Sequence, residues 1–264
     1  MRRLAIIAAL GLASVACGRA GDVEQPPIAT TPSPPTTTTL AASTTTAAAA
    51  STTTTVELTA ESLPEGASLV LAAREPVEVF TAPDDPEPFR TLEAKTILET
   101  TTVVTVLEGP DNGWARVMLP GRPNGSEGWV RSDDMTAFVV EGRVVVDLSD
   151  RTLTYYVDEE EILSTEVAIG TGRNPTPTGT FFVTDNVTLT DPNSVWGPHA
   201  LGLSARSETI TEYNGGDGIV GIHGTNRPAS IGEAASLGCV RVPNDAITRL
   251  HDLVLVGTPV EIRT

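Results

Sequence analysis

The amino-acid sequence predicts a mainly β protein with one or two short helices. Two stretches, residues 61–136 and 137–264, contain many short segments in which apolar and polar residues alternate, as they do in half-buried strands. Glycine, proline, asparagine and aspartate separate these segments, in runs such as GPDNG and PGRPNG. One stretch, NDAITRLHDLV, has the apolar spacing and flanking residues of a helix.

The first stretch, residues 61–136, predicts a small β-barrel with strands at PVEVFTAP, TTVVTVLEG, GWARVML and EGWVRSDDM. Residues 106–135 resemble the bacterial SH3-like domain, whose members carry a turn into Gly-Trp and then a second Gly-Trp-Val. That resemblance implies wall binding or positioning of the next domain. Trp114 and Trp129 could form an aromatic binding surface, but packing in or near the core is the more common role of tryptophan.

The second stretch, residues 137–264, predicts a run of strands followed by one helix and a closing strand. The expected strands are RVVVDLSD, RTLTYYVD, ILSTEVAIGTG, GTFFVTDN, GIVGIHG, CVRV and TPVEIR. Asn244 is expected to cap the helix, with Asp245 in its first turn and Gly257 just beyond its end. Three apolar residues share the buried face: Ile247, Leu250 and Val254.

The charge balance excludes some classes of partner. The chain has 264 residues, with 17 Lys+Arg against 34 Asp+Glu, which gives a formal net charge of −17. Recognition of a phosphate backbone needs clustered Lys and Arg, so nucleic acid is not expected as a partner. The sequence also offers no polybasic patch for anionic lipid.

The N-terminus predicts export. Residues 1–17 combine two arginines with a short apolar run that ends in SVAC, which resembles a lipobox and implies that Cys17 carries a lipid. The alternative is an ordinary signal peptide cut nearby, with Cys17 incidental. Residues 18–60 are nearly all Thr, Ala, Pro and Ser, and such a run stays extended. The expected location is the outer face of the cytoplasmic membrane or the cell wall.

Cys239 is the only cysteine besides Cys17, so if Cys17 is lipidated or removed, Cys239 has no disulfide partner within the chain. An unpaired thiol in an exported protein suggests an intermolecular bridge or a reactive side chain. His223 precedes Cys239 by 16 residues (239 − 223), so the two meet only if neighbouring strands bring them together. They could then form a thiolate–imidazolium pair. A backbone carbonyl near Gly224 could fix the imidazole tautomer, and the N–H groups of Gly238 and Cys239 could form an oxyanion hole.

Other interpretations of these residues stay open. A lone cysteine in a β domain is more often a small buried hydrophobe, and a lone histidine is more often structural. Arg241 could pair with a substrate carboxylate, or it could support its loop through backbone carbonyls, which is the favoured role. His199 could line a substrate-binding side of the site or pack structurally, and His251 is expected to face outward without a role. Three scattered histidines give no zinc site.

The span IHGTNRPASIGEAASLGCVRV resembles the signature of the L,D-transpeptidases, which have a YkuD-type catalytic domain. The opening strands, the Thr-Pro-Thr-Gly turn at residues 176–179 and the closing helix resemble that family as well. Leu237 departs from the pattern, because many members have a histidine there. The signature positions in this chain are His223, Gly224, Thr225, Ser236, Gly238, Cys239, Val240 and Arg241.

The resemblance implies acyl transfer on peptidoglycan stem peptides without a cofactor. Cys239 would attack the bond before the terminal D-alanine of a tetrapeptide stem, and a neighbouring stem amine would then complete a 3→3 cross-link. Carbapenem-type β-lactams are implied inhibitors. Water or a protein amine as acceptor would instead give an L,D-carboxypeptidase or wall attachment of a protein. A third alternative is a non-catalytic, lipid-anchored wall-binding protein.

Overall fold

The computed structural model describes residues 28–29, 58–213 and 216–264. The expected signal peptide, Cys17 and nearly all of the expected linker lie outside these ranges. A two-residue strand, β1 (Ile28–Ala29), precedes the main body, which is mainly β as the sequence predicts. Among the described residues, no helix has both the length and the apolar character needed to cross a membrane.

The first β unit has a short 3₁₀ helix, Ala60–Ser62, and seven strands. Five of them form an antiparallel sheet in the order β7-β6-β5-β2-β8, and β3 pairs with β4 in a separate ribbon. Their alternating apolar residues enclose one core, as the sequence pattern requires. The strands are β2 (Ser68–Ala73), β3 (Val77–Val79), β4 (Arg90–Leu92), β5 (Val103–Asp111), β6 (Trp114–Met118), β7 (Glu127–Arg131) and β8 (Met135–Val140).

Both tryptophans of this unit pack rather than form an open binding face. Trp114 is buried, its ring centroid lies 5.3 Å from that of Phe80 with the two planes at 89°, and the guanidinium of Arg131 lies 4.4 Å above it. Trp129 is half-buried, and its backbone exchanges two hydrogen bonds of 2.8 Å with Phe80. The packing interpretation is therefore correct.

The second β unit curls one long sheet around a core, in the order β11-β10-β9-β18-β13-β14-β15-β17. Strand β13 makes the turn, because residues 179–182 pair with β18 and residues 183–188 pair with β14. The strands are β9 (Arg143–Asp147), β10 (Thr152–Val157), β11 (Glu160–Glu166), β12 (Ile169–Gly170), β13 (Gly179–Leu189), β14 (His199–Arg206), β15 (Ile219–His223), β16 (Ala234–Ser236), β17 (Val240–Arg241) and β18 (Pro259–Arg263). A 3₁₀ helix, Pro228–Ser230, precedes β16.

The helix α1 (Asn244–Leu253) buries Ile247 and Leu250 against this core, as predicted. The expectation that Asn244 caps it is wrong, because the N-cap residue is Pro243 and Asn244 is already helical. The side chain of Asn244 serves another purpose, described below. The helix ends at Leu253, and Gly257 follows with φ +89°, the left-handed conformation expected of it.

The two units pack against each other over an apolar cluster. Strand β8 pairs with β2, so the first unit extends to residue 140 rather than to 136. The fully buried Phe182 of the second unit lies among valines of the first. Gly257 fits closely here, since a Cβ on it would lie 2.6 Å from Val70. Thr105 adds a hydrogen bond of 3.2 Å to the Gly257 carbonyl. The cluster contains Val70, Val103, Val140 and Phe182.

Candidate active site

Strands β15 and β17 bring the two sequence-predicted functional residues to the same sheet edge. They pair in parallel, with Ile222 opposite Val240 and His223 opposite Arg241. His223 is the last residue of β15, and Cys239 immediately precedes β17. Both line a cavity of about 190 Å³ whose apolar walls include Val195, Trp196, Ile210, Tyr213 and Leu237. The pairing of β15 with β17 thus brings His223 and Cys239 to the same cavity, although they are 16 residues apart in the sequence.

His223 is held in one tautomer. Its side chain is buried, and Nδ1 lies 2.6 Å from the carbonyl oxygen of Gly224. A carbonyl only accepts hydrogen bonds, so Nδ1 carries the proton and Nε2 is left as the base. The pKa of His223 is lowered to about 4, and burial is the largest cause. The Arg241 charge also lowers the pKa, whereas the hydrogen bond to the Gly224 carbonyl raises it.

Cys239 is a free, half-buried cysteine. Desolvation raises the pKa of its thiol, and the Gly221 N–H and the Arg241 charge oppose that rise. Because burial disfavours the charged form of both groups, the resting site favours a neutral thiol and a neutral imidazole. A resting thiolate–imidazolium pair, considered from the sequence, is therefore not what this environment stabilises.

The loop before Cys239 is fixed by Ser236. Its Oγ accepts the Gly238 N–H at 3.0 Å and donates to the Cys239 carbonyl at 2.5 Å. The expectation that the Gly238 N–H is free for an oxyanion is therefore wrong. The Cys239 N–H makes no hydrogen bond to any residue that the structure describes. A Cβ on Gly238 would find room, because its nearest neighbour would lie at an ordinary 3.4 Å. Glycine is required there by the backbone conformation, φ +119°, which residues with a side chain rarely adopt.

Asn244 supports the His-Gly-Thr turn. The sequence suggested a different role for it, that of a helix cap. Its Oδ1 accepts the Thr225 N–H at 2.7 Å. The same oxygen would lie 2.4 Å from a Cβ on Gly224, so only glycine fits there. Thr225 in turn accepts the Arg227 N–H through its hydroxyl at 2.9 Å. Gly224 and Thr225 are thus parts of the support for His223.

Arg241 lines the cavity beside Cys239. Its backbone pairs with Ala168 in both directions at 2.8 Å, but its Nε is buried and unpaired among the described residues. The favoured expectation, that Arg241 supports its loop through backbone carbonyls, is wrong, because its side chain donates no hydrogen bond to a backbone carbonyl of any residue that the structure describes. A cation left unpaired beside Cys239 suits an anionic group of a substrate.

His199 lies away from the cavity walls and packs structurally. Its ring stacks on His251 with centres 4.0 Å apart and planes at 17°, and its Nδ1 lies 3.2 Å from the Thr188 hydroxyl. His251 was expected to face outward, which is wrong, since it is half-buried and contacts the Asn186 side chain. Within the described ranges, no cluster of three or more His, Cys, Asp or Glu could hold a metal ion.

Comparison with known proteins identifies the second β unit. Residues 141–262 match the model of the YkuD L,D-transpeptidase catalytic domain. Bacillus subtilis YqjB, named as an L,D-transpeptidase, is 33% identical over 130 residues, which are 45% of this chain and 69% of YqjB. Bacillus subtilis YkuD, named likewise, is 29% identical over 146 residues, 55% of this chain and 73% of YkuD. A solved L,D-transpeptidase from Mycobacterium smegmatis aligns over 61% of this chain and 90% of its own, with 19% identity and a TM-score of 0.38. The match to YqjB, at 33% identity over 69% of its length, shows that the chain belongs to the L,D-transpeptidase family.

Proposed function

We propose that the protein forms 3→3 cross-links in peptidoglycan through a thioester on Cys239. The observation that carries this proposal is that a free thiol and a single-tautomer imidazole line one cavity in a chain of the L,D-transpeptidase family. Thiol and imidazole together supply the nucleophile and the base that acyl transfer needs.

The first half-reaction forms the acyl-enzyme. His223 Nε2 takes the thiol proton as Cys239 Sγ attacks the carbonyl between the third stem residue and the terminal D-alanine. The Cys239 N–H, free of other hydrogen bonds among the described residues, donates to the oxyanion. The C–N bond then breaks, and His223 returns the proton to the leaving amine of D-alanine.

The second half-reaction transfers the acyl group. The side-chain amine of a neighbouring stem attacks the thioester carbonyl and gives a proton to His223. The C–S bond breaks, the peptide bond of the cross-link remains, and the Cys239 thiolate recovers its proton. Water or a protein amine in place of the stem amine would give a trimmed stem or an attached protein from the same thioester.

Arg241 provides the charge that a peptide stem requires. Its side chain lies in the cavity wall, with Nε unpaired among the described residues, and there it would bind a carboxylate of the donor stem and hold the scissile carbonyl near Cys239. The same cavity would admit carbapenem-type β-lactams, whose strained carbonyl can acylate a thiol.

We also propose that the protein is exported and held at the membrane by a lipid on Cys17. The leader-like residues 1–17 and the extended composition of residues 18–60 support this proposal. If Cys17→Ala leaves the distribution of the protein between membrane and soluble fractions unchanged, the anchor is elsewhere.

The function is tested by time-resolved mass spectrometry with a tetrapeptide donor and an amine acceptor. We expect an acyl-enzyme on Cys239, release of D-alanine and a cross-linked product. His223→Asn should reduce acylation by about two to four orders of magnitude, whereas the matched variant His199→Asn should retain it. Cys239→Ser should form no thioester. Full activity of Cys239→Ser, or equal losses from the two histidine variants, would contradict the proposal.

A further inference from the structure

Within the connection between β14 and β15, the described residues 207–213 and 216–218 form one wall of the cavity beside Cys239. It contributes Ser207, Ile210, Tyr213 and Gly218 to the lining. The connection closes on itself through the Ser207 N–H, which donates to the Gly218 carbonyl at 2.9 Å. The Ser207 hydroxyl also accepts the Ile210 N–H at 3.0 Å.

A side chain of the first β unit binds both ends of this wall. Arg122, in the β6–β7 loop (residues 119–126), donates to the carbonyls of Ser207 at 2.7 Å and Ile210 at 3.2 Å. It also donates to the Asp217 carbonyl at 3.1 Å and forms an ion pair with the Asp217 carboxylate. One guanidinium therefore ties the start of the β14–β15 connection to its end.

The same loop forms hydrogen bonds with the end of β14. The side-chain amide of Asn124 accepts the Arg206 N–H at 2.8 Å and donates to the Arg206 carbonyl at 2.9 Å, so it pairs as a neighbouring strand would. The Gly121 N–H donates to the Ser204 carbonyl at 3.0 Å. These bonds set the position of Arg122 relative to the cavity wall.

The Asp217 carboxylate is shared between the two units. Arg206, whose side chain is only 13% exposed, contacts it at 3.1 Å from the second unit, while Arg122 contacts it from the first. Arg206 also donates to the carbonyls of Leu203, Ser204 and Ala205. A carboxylate held by two guanidiniums in this way orders the segment to which it belongs.

We propose that Arg122 is a positioning residue for the active site, acting through the β14–β15 connection without touching the substrate. Loss of its guanidinium leaves the carbonyls of Ser207 and Ile210 without their charged donor, and the connection opens more often. The first β unit then helps to position the cavity wall beside Cys239. The effect on activity rests on the proposed function, while the effect on loop order does not.

Hydrogen exchange read by mass spectrometry tests the loop directly on the full chain. In Arg122→Gln, amides of residues 207–213 and 216–218 should exchange about tenfold faster, as expected for the loss of charged hydrogen bonds. Arg116→Gln is the matched control, because Arg116 lies on β6 and its side-chain hydrogen bonds among the described residues reach only Glu108 and Glu127. Arg122→Lys should keep part of the protection that Arg122→Gln loses. Lysine keeps the positive charge beside Asp217 but lacks the several N–H donors of the planar guanidinium.

Kinetics with the tetrapeptide donor complete the test. KM should rise about tenfold in Arg122→Gln, with a smaller change in kcat, and neither should change in Arg116→Gln. Wild-type exchange in a folded Arg122→Gln, or equal effects of the two glutamine variants, would overturn the proposal. If wild-type protein does not react with the donor, the proposed function fails, and the exchange experiment still decides the role of Arg122.

Discussion

Acidification should destabilise the folded protein through His223. Burial lowers the pKa of this imidazole to about 4 in the folded protein, against about 6.5 in an unfolded chain. Between these values the unfolded chain binds a proton that the folded protein excludes. The free energy of unfolding therefore rises with pH across this window and falls as the solution is acidified.

The size of the effect follows from the difference between the two pKa values. A difference of about 2.5 units at about 1.36 kcal/mol per unit gives about 3 kcal/mol. The side chain is only 6% exposed, so solvent screens this effect little. The loss should be nearly complete at about pH 4 and absent above about pH 7.

Urea unfolding of wild type and His223→Asn between about pH 7 and pH 4 measures this loss. Asparagine keeps an amide donor for the Gly224 carbonyl but gains no proton, and the carboxylates cancel in the difference between the two proteins. We expect wild-type stability to fall by about 3 kcal/mol relative to the variant. Cys239→Ser should show the same fall as wild type. A difference between wild type and His223→Asn that is constant over the whole range would refute the reasoning.

Three further predictions concern the packing and the charge around the site. Phe182→Ala should lower the free energy of unfolding by about 3–5 kcal/mol, because the ring is fully buried between the two units; calorimetry should show both units melting together, and separate transitions would contradict the shared core. Gly224→Ala should destabilise by about 1–3 kcal/mol, because its Cβ would lie 2.4 Å from Asn244 Oδ1, whereas Gly172→Ala, with nothing within 4 Å, should be neutral in the same assay. Arg241→Gln should raise KM at least about tenfold for a donor with free carboxylates, and an equal effect on an amidated donor would exclude a carboxylate contact.

The sequence predicts best those elements in which local pattern and tertiary packing agree. The strands at residues 143–147, 152–157 and 259–263 are rich in β-branched and aromatic residues, and they lie where the pattern places them. Strand β14 has the sequence HALGLSAR, which contains no β-branched residue, and it was missed. Its small residues fit a crowded position, since a Cβ on Gly202 would lie 3.0 Å from the Asp185 carboxylate.

The sequence singles out the residues of the site better than it predicts the partners of their side chains. The sequence placed Asn244 at a helix start, but the choice between capping and supporting Thr225 depends on which loop packs beside it. The helical period placed His251 outward, yet β13 and β14 lie beside it and supply Asn186 and His199. For Arg241 the sequence favoured carbonyl partners, but its Nε is buried without a partner among the described residues. Each of these errors concerns a contact between segments far apart in the chain.

The burial of the Cys239 thiol determines which experiment can separate an enzyme from a wall-binding protein. Burial raises the pKa of Cys239, so a slow reaction with an alkylating reagent is expected in both cases and distinguishes neither. A substrate changes the balance, because Cys239 Sγ forms a bond to its carbonyl carbon as His223 takes the thiol proton, and the developing negative charge passes to the carbonyl oxygen. An acyl-enzyme formed from a tetrapeptide donor, despite slow alkylation at the same pH, is therefore the result that only the catalytic interpretation explains.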